Sequence, residues 1–323
     1  MKYFSTFIAV LILHIFLGTA SAQKLVKFEL LDKSIIDFEI CEVGSKIVVC
    51  KEHIIESWDL TSKKKIFILE NNSDFFNQCI DISANGEYIV VGTKSGNIML
   101  WDLKSKSKVW EVKTDNLITD IKISPSNLSI AAGSSNSKIY KINFEDGKVI
   151  EEFNNHKKDI TSLEFCCNGD YLLSSSADRS IIIWDYKKCK IKSQLFGHKD
   201  WIRDIDINKD ETRMISCSDD GHLIFWNINN IENIIKLDYE KTGLAWLTSV
   251  CYFSDGVSYV YSDINGKIKF ISPFIFLERN FKTLITKVDF VPNSVDKVEI
   301  VMLIKDEGIK IYGSENLKIK NLK

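Results

Sequence analysis

One spacing recurs along this 323-residue chain and limits what it can fold into. Trp58-Asp59, Trp101-Asp102, Trp184-Asp185 and Trp226-Asn227 each end a short apolar run, such as Ile98-Met99-Leu100 or Ile181-Ile182-Ile183. The gap from Trp101 to Trp184 is twice the others, and Ile142-Asn143 falls halfway; Ile271-Ser272 and Tyr312-Gly313 continue the series past Trp226. Seven positions, 41 to 45 residues apart, are thereby filled. A repeat of this length copies one supersecondary unit that cannot bury its apolar face alone.

A second register supports the first. Upstream of these positions lie strands with alternating apolar residues, each running into a polar turn: Ile80-Asp81-Ile82 before Asn85-Gly86, Leu163-Glu164-Phe165 before Asn168-Gly169, Val250-Cys251-Tyr252 before Asp255-Gly256. Phe76, Leu117, Asp159, Trp201 and Trp246 stand at the entrances of these strands, each 25 residues before its tryptophan position; Ser34 and Leu284 fill the first and last units at offsets of 24 and 28. Each unit therefore holds four short strands of period two. Stacking such sheets around an axis lets each cover the next, which predicts an all-β, seven-bladed β-propeller of four-stranded antiparallel blades.

The first 22 residues stand outside the repeat. Lys2, the apolar run Phe4–Leu17 and the small residues Ala20-Ser21-Ala22 have the form of a secretory signal peptide cleaved before Gln23. The run is shorter than the roughly 20 apolar residues of a membrane span, so stable membrane insertion is not expected. Residues 23–323 then form one propeller of seven units of about 42 residues. With 45% hydrophobic residues and only three prolines the chain is neither disordered nor fibrous, and a net charge of -2 gives no field for nucleic acid.

On these residues the chain resembles the WD40 repeat family. The resemblance implies structural tetrads in which a histidine, a serine, an aspartate and the tryptophan lock strands together: His156, Ser176, Asp178 and Trp184 in the fourth repeat, His198, Ser218, Asp220 and Trp226 in the fifth. The second repeat has Thr93, Ser95 and Trp101 without a histidine; the third has Ser134 with Asn136, and the first Cys50 and Glu52. In such propellers both termini share a blade. Leu25–Leu30 is the expected outer strand of the seventh, with Leu317–Lys320 as the alternative.

The family also implies that the strand entrances open onto the face most used by partners. Phe76, Leu117, Trp201 and Trp246, with Arg203 and Asp219 beside them, form the expected partner-binding set, since tryptophan and arginine are preferred interface anchors. Farther along the same strands, Glu39, Asp81, Glu164, Asp206 and Asp289 give an acidic lining to the central channel, interrupted by Lys122 and Cys251. No nucleophile elbow, H-x-x-x-H pair, P-loop or EF-hand loop occurs, so no catalytic residue, metal ligand or cofactor is expected. The eight cysteines show no C-x-x-C spacing and read as small buried hydrophobes, with adjacent Cys166 and Cys167 on opposite sides of a strand. Lysines crowd the fourth strand of several units, as in Lys63–Lys65 and Lys187–Lys192, where charge protects an open sheet edge.

The expectation is an exported propeller, monomeric within a complex, that serves as a rigid scaffold for a protein or peptide partner. The alternative is a hydrolase or cation-dependent enzyme working at the acidic channel.

Overall fold

The computed structural model describes residues 26–41, 45–71, 75–273, 276–291 and 298–313. The signal-peptide segment and Leu317–Lys320 lie outside the described residues. Seven four-stranded antiparallel sheets make up the propeller, and among the described residues the helical content is one 3-10 turn at Cys167–Gly169.

Blades 1 to 6 each take four consecutive strands, and their innermost strands are Ile35–Cys41, Asn77–Ile82, Ile118–Ile123, Ile160–Cys166, Ile202–Ile207 and Leu247–Tyr252. Blade 7 takes Ile285–Phe290, Glu299–Ile304 and Gly308–Gly313, and is completed by Val26–Leu30 from the other end of the described chain. The N-terminal strand therefore closes the ring.

Burial explains the residue patterns. The second and third strands of a blade are covered on both faces by the neighbouring blades, so they read as unbroken apolar runs such as Ile98–Trp101 and Ile181–Trp184. The outermost strands are exposed along most of their length and carry the lysines. The apolar core is divided into seven clusters, each shared by two adjacent blades. Gly92 and Gly133 lie where the next blade comes closest: a Cβ at either would stand 2.5 Å from a methyl of Ile118 or Ile160.

Every innermost strand carries a β-bulge at the same place, between Ile35 and Asp37 in blade 1, Asn77 and Cys79 in blade 2, Ile118 and Asp120 in blade 3, and likewise through blade 7. A bulge sets two residues against one on the partner strand and turns the chain locally. Here the bulged residue and the one after it both face the axis, and ordinary alternation then adds a third. Three side chains per blade thus face the axis, and all but Asp81 of blade 2 line the channel.

Candidate functional site

The channel mouth is built by a repeated backbone bond. The carbonyls of Phe76, Leu117, Asp159, Trp201, Trp246 and Leu284 each accept the N–H of a residue in their own blade's next turn, from Lys94, Ser135, Ala177, Asp219, Ile264 and Lys305 respectively. These bonds hold the entrance side chains on one face of the ring. Trp246 is 54% exposed, Phe76 43% and Trp201 37%, whereas Leu117 is half-buried. Ile264, unmarked by any motif, adds a fourth exposed apolar side chain beside Trp246.

Polar neighbours orient two of these aromatics. The Arg203 guanidinium lies 4.9 Å from the Trp201 ring centre and makes a two-point bond to Asp219, through Nε at 2.8 Å and Nη2 at 2.6 Å. Lys158 approaches the same ring at 5.6 Å. Phe76 lies 4.7 Å from the His53 ring, with the Lys94 ammonium 5.8 Å away.

Below the mouth runs a channel of about 300 Å³. Its first layer is the bulged residues, including Thr119, Thr161, Thr248, Thr286, Gln78 and Arg203. Of the expected acidic set, Glu39, Glu164, Asp206 and Asp289 line the channel, while Asp81 is buried beneath its surface. Asp37, Asp120 and Asp204 join them from the layer above.

The lining is less acidic than its fifth positions suggest, because Lys287 joins Lys122 in it. Lys287 binds Asp37 at 3.0 Å, Glu39 at 2.7 Å and the Phe38 carbonyl at 2.7 Å; Lys122 binds Glu164 at 2.9 Å.

These groups fasten blade to blade. Ile80 N–H donates to Asp37, Ile123 N–H to Asp81, Leu163 N–H to Asp120 and Tyr252 N–H to Asp206, at 2.5 to 3.0 Å, each reaching back from the following blade. Ser162 Oγ donates to Asp204 across the junction of blades 4 and 5. Thr248 Oγ1 donates to the Ile285 carbonyl between blades 6 and 7, and Lys287 spans blades 7 and 1. All seven junctions are bridged at the channel wall.

Burial opposes ionisation there. It pushes Asp120 up to about 8, with Glu164 adding repulsion against the pull of Lys122, and Asp81 up to about 7 despite Lys122. Burial and the charge of Glu39 raise Asp289 to about 6. Glu39 goes the other way: its lysines outweigh its burial and hold it below the usual range.

The tetrads lie in blades 4 and 5, outside the channel. His156 Nδ1 bonds Asp178 at 2.9 Å, His156 Nε2 bonds Ser174 at 2.8 Å, and Trp184 Nε1 donates to Ser174 at 2.8 Å. The same chain joins Asp220, His198, Ser216 and Trp226. The serines are therefore Ser174 and Ser216, correcting the expected Ser176 and Ser218. The expected pair sits two residues on, at the strand end, where each hydroxyl donates to a loop carbonyl, Lys158 or Asp200, and accepts a turn N–H. Burial alone would raise Asp178 and Asp220, but bonds from the histidines and nearby N–H groups win, holding Asp178 well below the usual range and Asp220 at about 2.

Three stretches, residues 65–102, 147–185 and 189–227, match the WD40 family, described as WD domain, G-beta repeat. Over those three stretches the chain is similar to WD40 repeats. Each matched WD40 stretch begins on or beside the outermost strand of one blade and ends on the third strand of the next, so the sequence repeat is staggered against the blade.

Several curated proteins are similar to this chain. Echinoderm microtubule-associated protein-like 3 of Mus musculus is 22% identical over 228 residues, 68% of this chain and 25% of that protein. Target of rapamycin complex subunit wat1 of Schizosaccharomyces pombe is 26% identical over 153 residues, 47% of this chain and 48% of that protein. The guanine nucleotide-binding protein subunit beta of Schizosaccharomyces pombe is 30% identical over 123 residues, 37% of this chain and 40% of that protein. The chain thus spans between a quarter and a half of the length of these relatives.

All eight cysteines are free, and five are buried. Cys166 ends its strand while Cys167 already lies in the turn with φ of 53°, so strand alternation does not govern the pair. Among the described residues no three His, Cys, Asp or Glu side chains are grouped to hold a metal ion.

Proposed function

We propose that this WD40 propeller is a rigid scaffold that holds a protein or peptide partner on its channel-mouth face, with Trp201, Trp246 and Phe76 as anchors. The observation that carries the reading is the exposure of these large aromatics on one face, on a backbone bond repeated in six of the seven blades. Exposed tryptophans beside arginine are the composition of interface hot spots. Two of the matched relatives are named as subunits, one of the target of rapamycin complex and one of a guanine nucleotide-binding protein, which supports a role inside an assembly. Export through the segment 1–22 is part of the proposal and rests on the sequence of that segment. The channel does not favour the enzymatic alternative, because its carboxylates are committed to bonds between blades.

The partner is identified by affinity purification from the native host, and its affinity for purified protein is then measured. Trp201→Ala with Trp246→Ala should weaken binding by about 100-fold or more at an unchanged melting temperature. Undiminished binding by the double variant would remove this face from consideration. Export is tested separately: the secreted protein should begin at Gln23, and an intact Met1 on cytosolic protein would refute it.

A further inference from the structure

We propose that the central channel is a pH-responsive clasp: its carboxylates that lack a lysine partner take up protons as pH falls, and the ring of blades tightens as they do.

The charge count at the channel wall motivates the inference. Eight carboxylates converge there: Asp37 and Glu39 from blade 1, Asp81 from blade 2, Asp120 from blade 3, Glu164 from blade 4, Asp204 and Asp206 from blade 5, and Asp289 from blade 7. Two lysines, Lys122 and Lys287, face them, and Arg203 at the mouth is already bound to Asp219. The remaining ionisable groups on the wall are the thiols of Cys79 and Cys251. Three carboxylates are paired with the lysines. Among the described residues, Asp81, Asp120, Asp204, Asp206 and Asp289 have no ion-pair partner within 4 Å. Burial opposes the charge of all five, and Glu164 repels Asp81, Asp120 and Asp206 while Glu39 repels Asp81 and Asp289.

These same side chains hold the junctions. Asp81, Asp120 and Asp206 each accept a backbone N–H from the next blade, Asp204 accepts from Ser162 and Ser249 on both of its neighbours, and Asp289 faces Cys251 Sγ at 3.3 Å. Ionising them therefore strains the contacts that close the ring, through the burial of the charge first and repulsion from Glu39 and Glu164 second. A protonated carboxyl keeps its carbonyl oxygen as acceptor for the N–H and sheds both the cost of a buried charge and the repulsion. The four histidines outside the signal segment do not line the channel.

The sign follows from the raised folded-state values of Asp289, Asp81 and Asp120, about 6, 7 and 8, against an ordinary 3.8. Their contribution is fully present below the ordinary value and is lost as pH rises through 6 to 8, because the unfolded chain ionises first.

Thermal unfolding of the full chain in 0.15 M NaCl tests the proposal. The melting temperature should rise by about 5 °C from pH 8 to pH 6. Asp81→Asn combined with Asp120→Asn, which keeps an acceptor and removes the titration, should melt higher than wild type at pH 8 and lose at least half of that rise. A flat or falling wild-type profile, or a full rise in the variant, would overturn the clasp. Should the variant fail to fold, calorimetry of the wild type at pH 7.5 in buffers of different ionisation enthalpy decides. About one proton or more should be released on unfolding, and zero release or net uptake would refute it.

Discussion

Trp101 shows what a tetrad contributes by lacking one. Its indole nitrogen is buried without a hydrogen-bond partner, because Val91 occupies in blade 2 the place that Ser174 and Ser216 hold in blades 4 and 5. In blade 1 the same problem is solved differently: Trp58 donates to Glu56 at 3.0 Å, and that buried carboxylate is neutralised by Lys51 and Lys65. Val91→Thr should therefore be neutral or stabilising by up to about 1 kcal/mol, whereas Val90→Thr, pointing to the other face, should cost about 1–2 kcal/mol; chemical denaturation separates the two. Conversely, His156→Ala leaves Ser174 and Asp178 without their buried partner and should cost about 2–4 kcal/mol by the same measurement. The resemblance to the WD40 family located the histidine, aspartate and tryptophan of each tetrad. It misplaced the serine because Ser174 and Ser176 share one face of their strand, and alternation cannot distinguish residues two apart.

The innermost strand shows both the reach of the pattern and its limit. Its apolar alternation and entrance residue are legible in every unit, and so is the inward fifth position. The bulge is not, because an extra residue in one strand leaves no mark on apolar periodicity; the sole trace is threonine recurring at the bulge in four of seven units. Without the bulge, Thr119, Thr161, Thr248 and Thr286 could not be recognised as channel residues. The outer strand of blade 7 carries its own prediction. Val26–Leu30 covers the edge of Gly308–Gly313, and Phe28 packs into the cluster shared by blades 7 and 1. Deleting residues 26–30 should lower the melting temperature and produce concentration-dependent association through the bared edge, seen by light scattering.

At the scale of the molecule, stability resides in seven equivalent junctions, each with its own apolar cluster and its own polar bridge at the axis. The count of seven was readable although three of the seven positions have lost the tryptophan, because two registers agreed on the spacing. The polar bridges were not readable as such, since a carboxylate that lines a channel and one that grips a neighbouring backbone look alike in sequence. Acid stability provides a further prediction. Asp220 and Asp32, both held at about 2, and Asp178, lower still, contribute stability that is present above the ordinary carboxylate range and lost as pH falls toward 2. The melting temperature should accordingly drop from pH 4 to pH 2, and Asp220→Asn should reduce the size of that drop in a calorimetric scan.

Closure by Val26–Leu30 also imposes an order on synthesis. The partner of this strand, Gly308–Gly313, leaves the ribosome some 280 residues later. At about 5–20 residues per second this is a wait of roughly 15–60 s. Throughout that interval a strand carrying Phe28 and Leu30 has nothing to pair with, and six blades stand as an open arc with two bare ends. A nascent chain of this protein is thus most exposed to wrong pairings just before it is finished, and a chaperone that shields its first strand would act on the step that decides whether the ring forms.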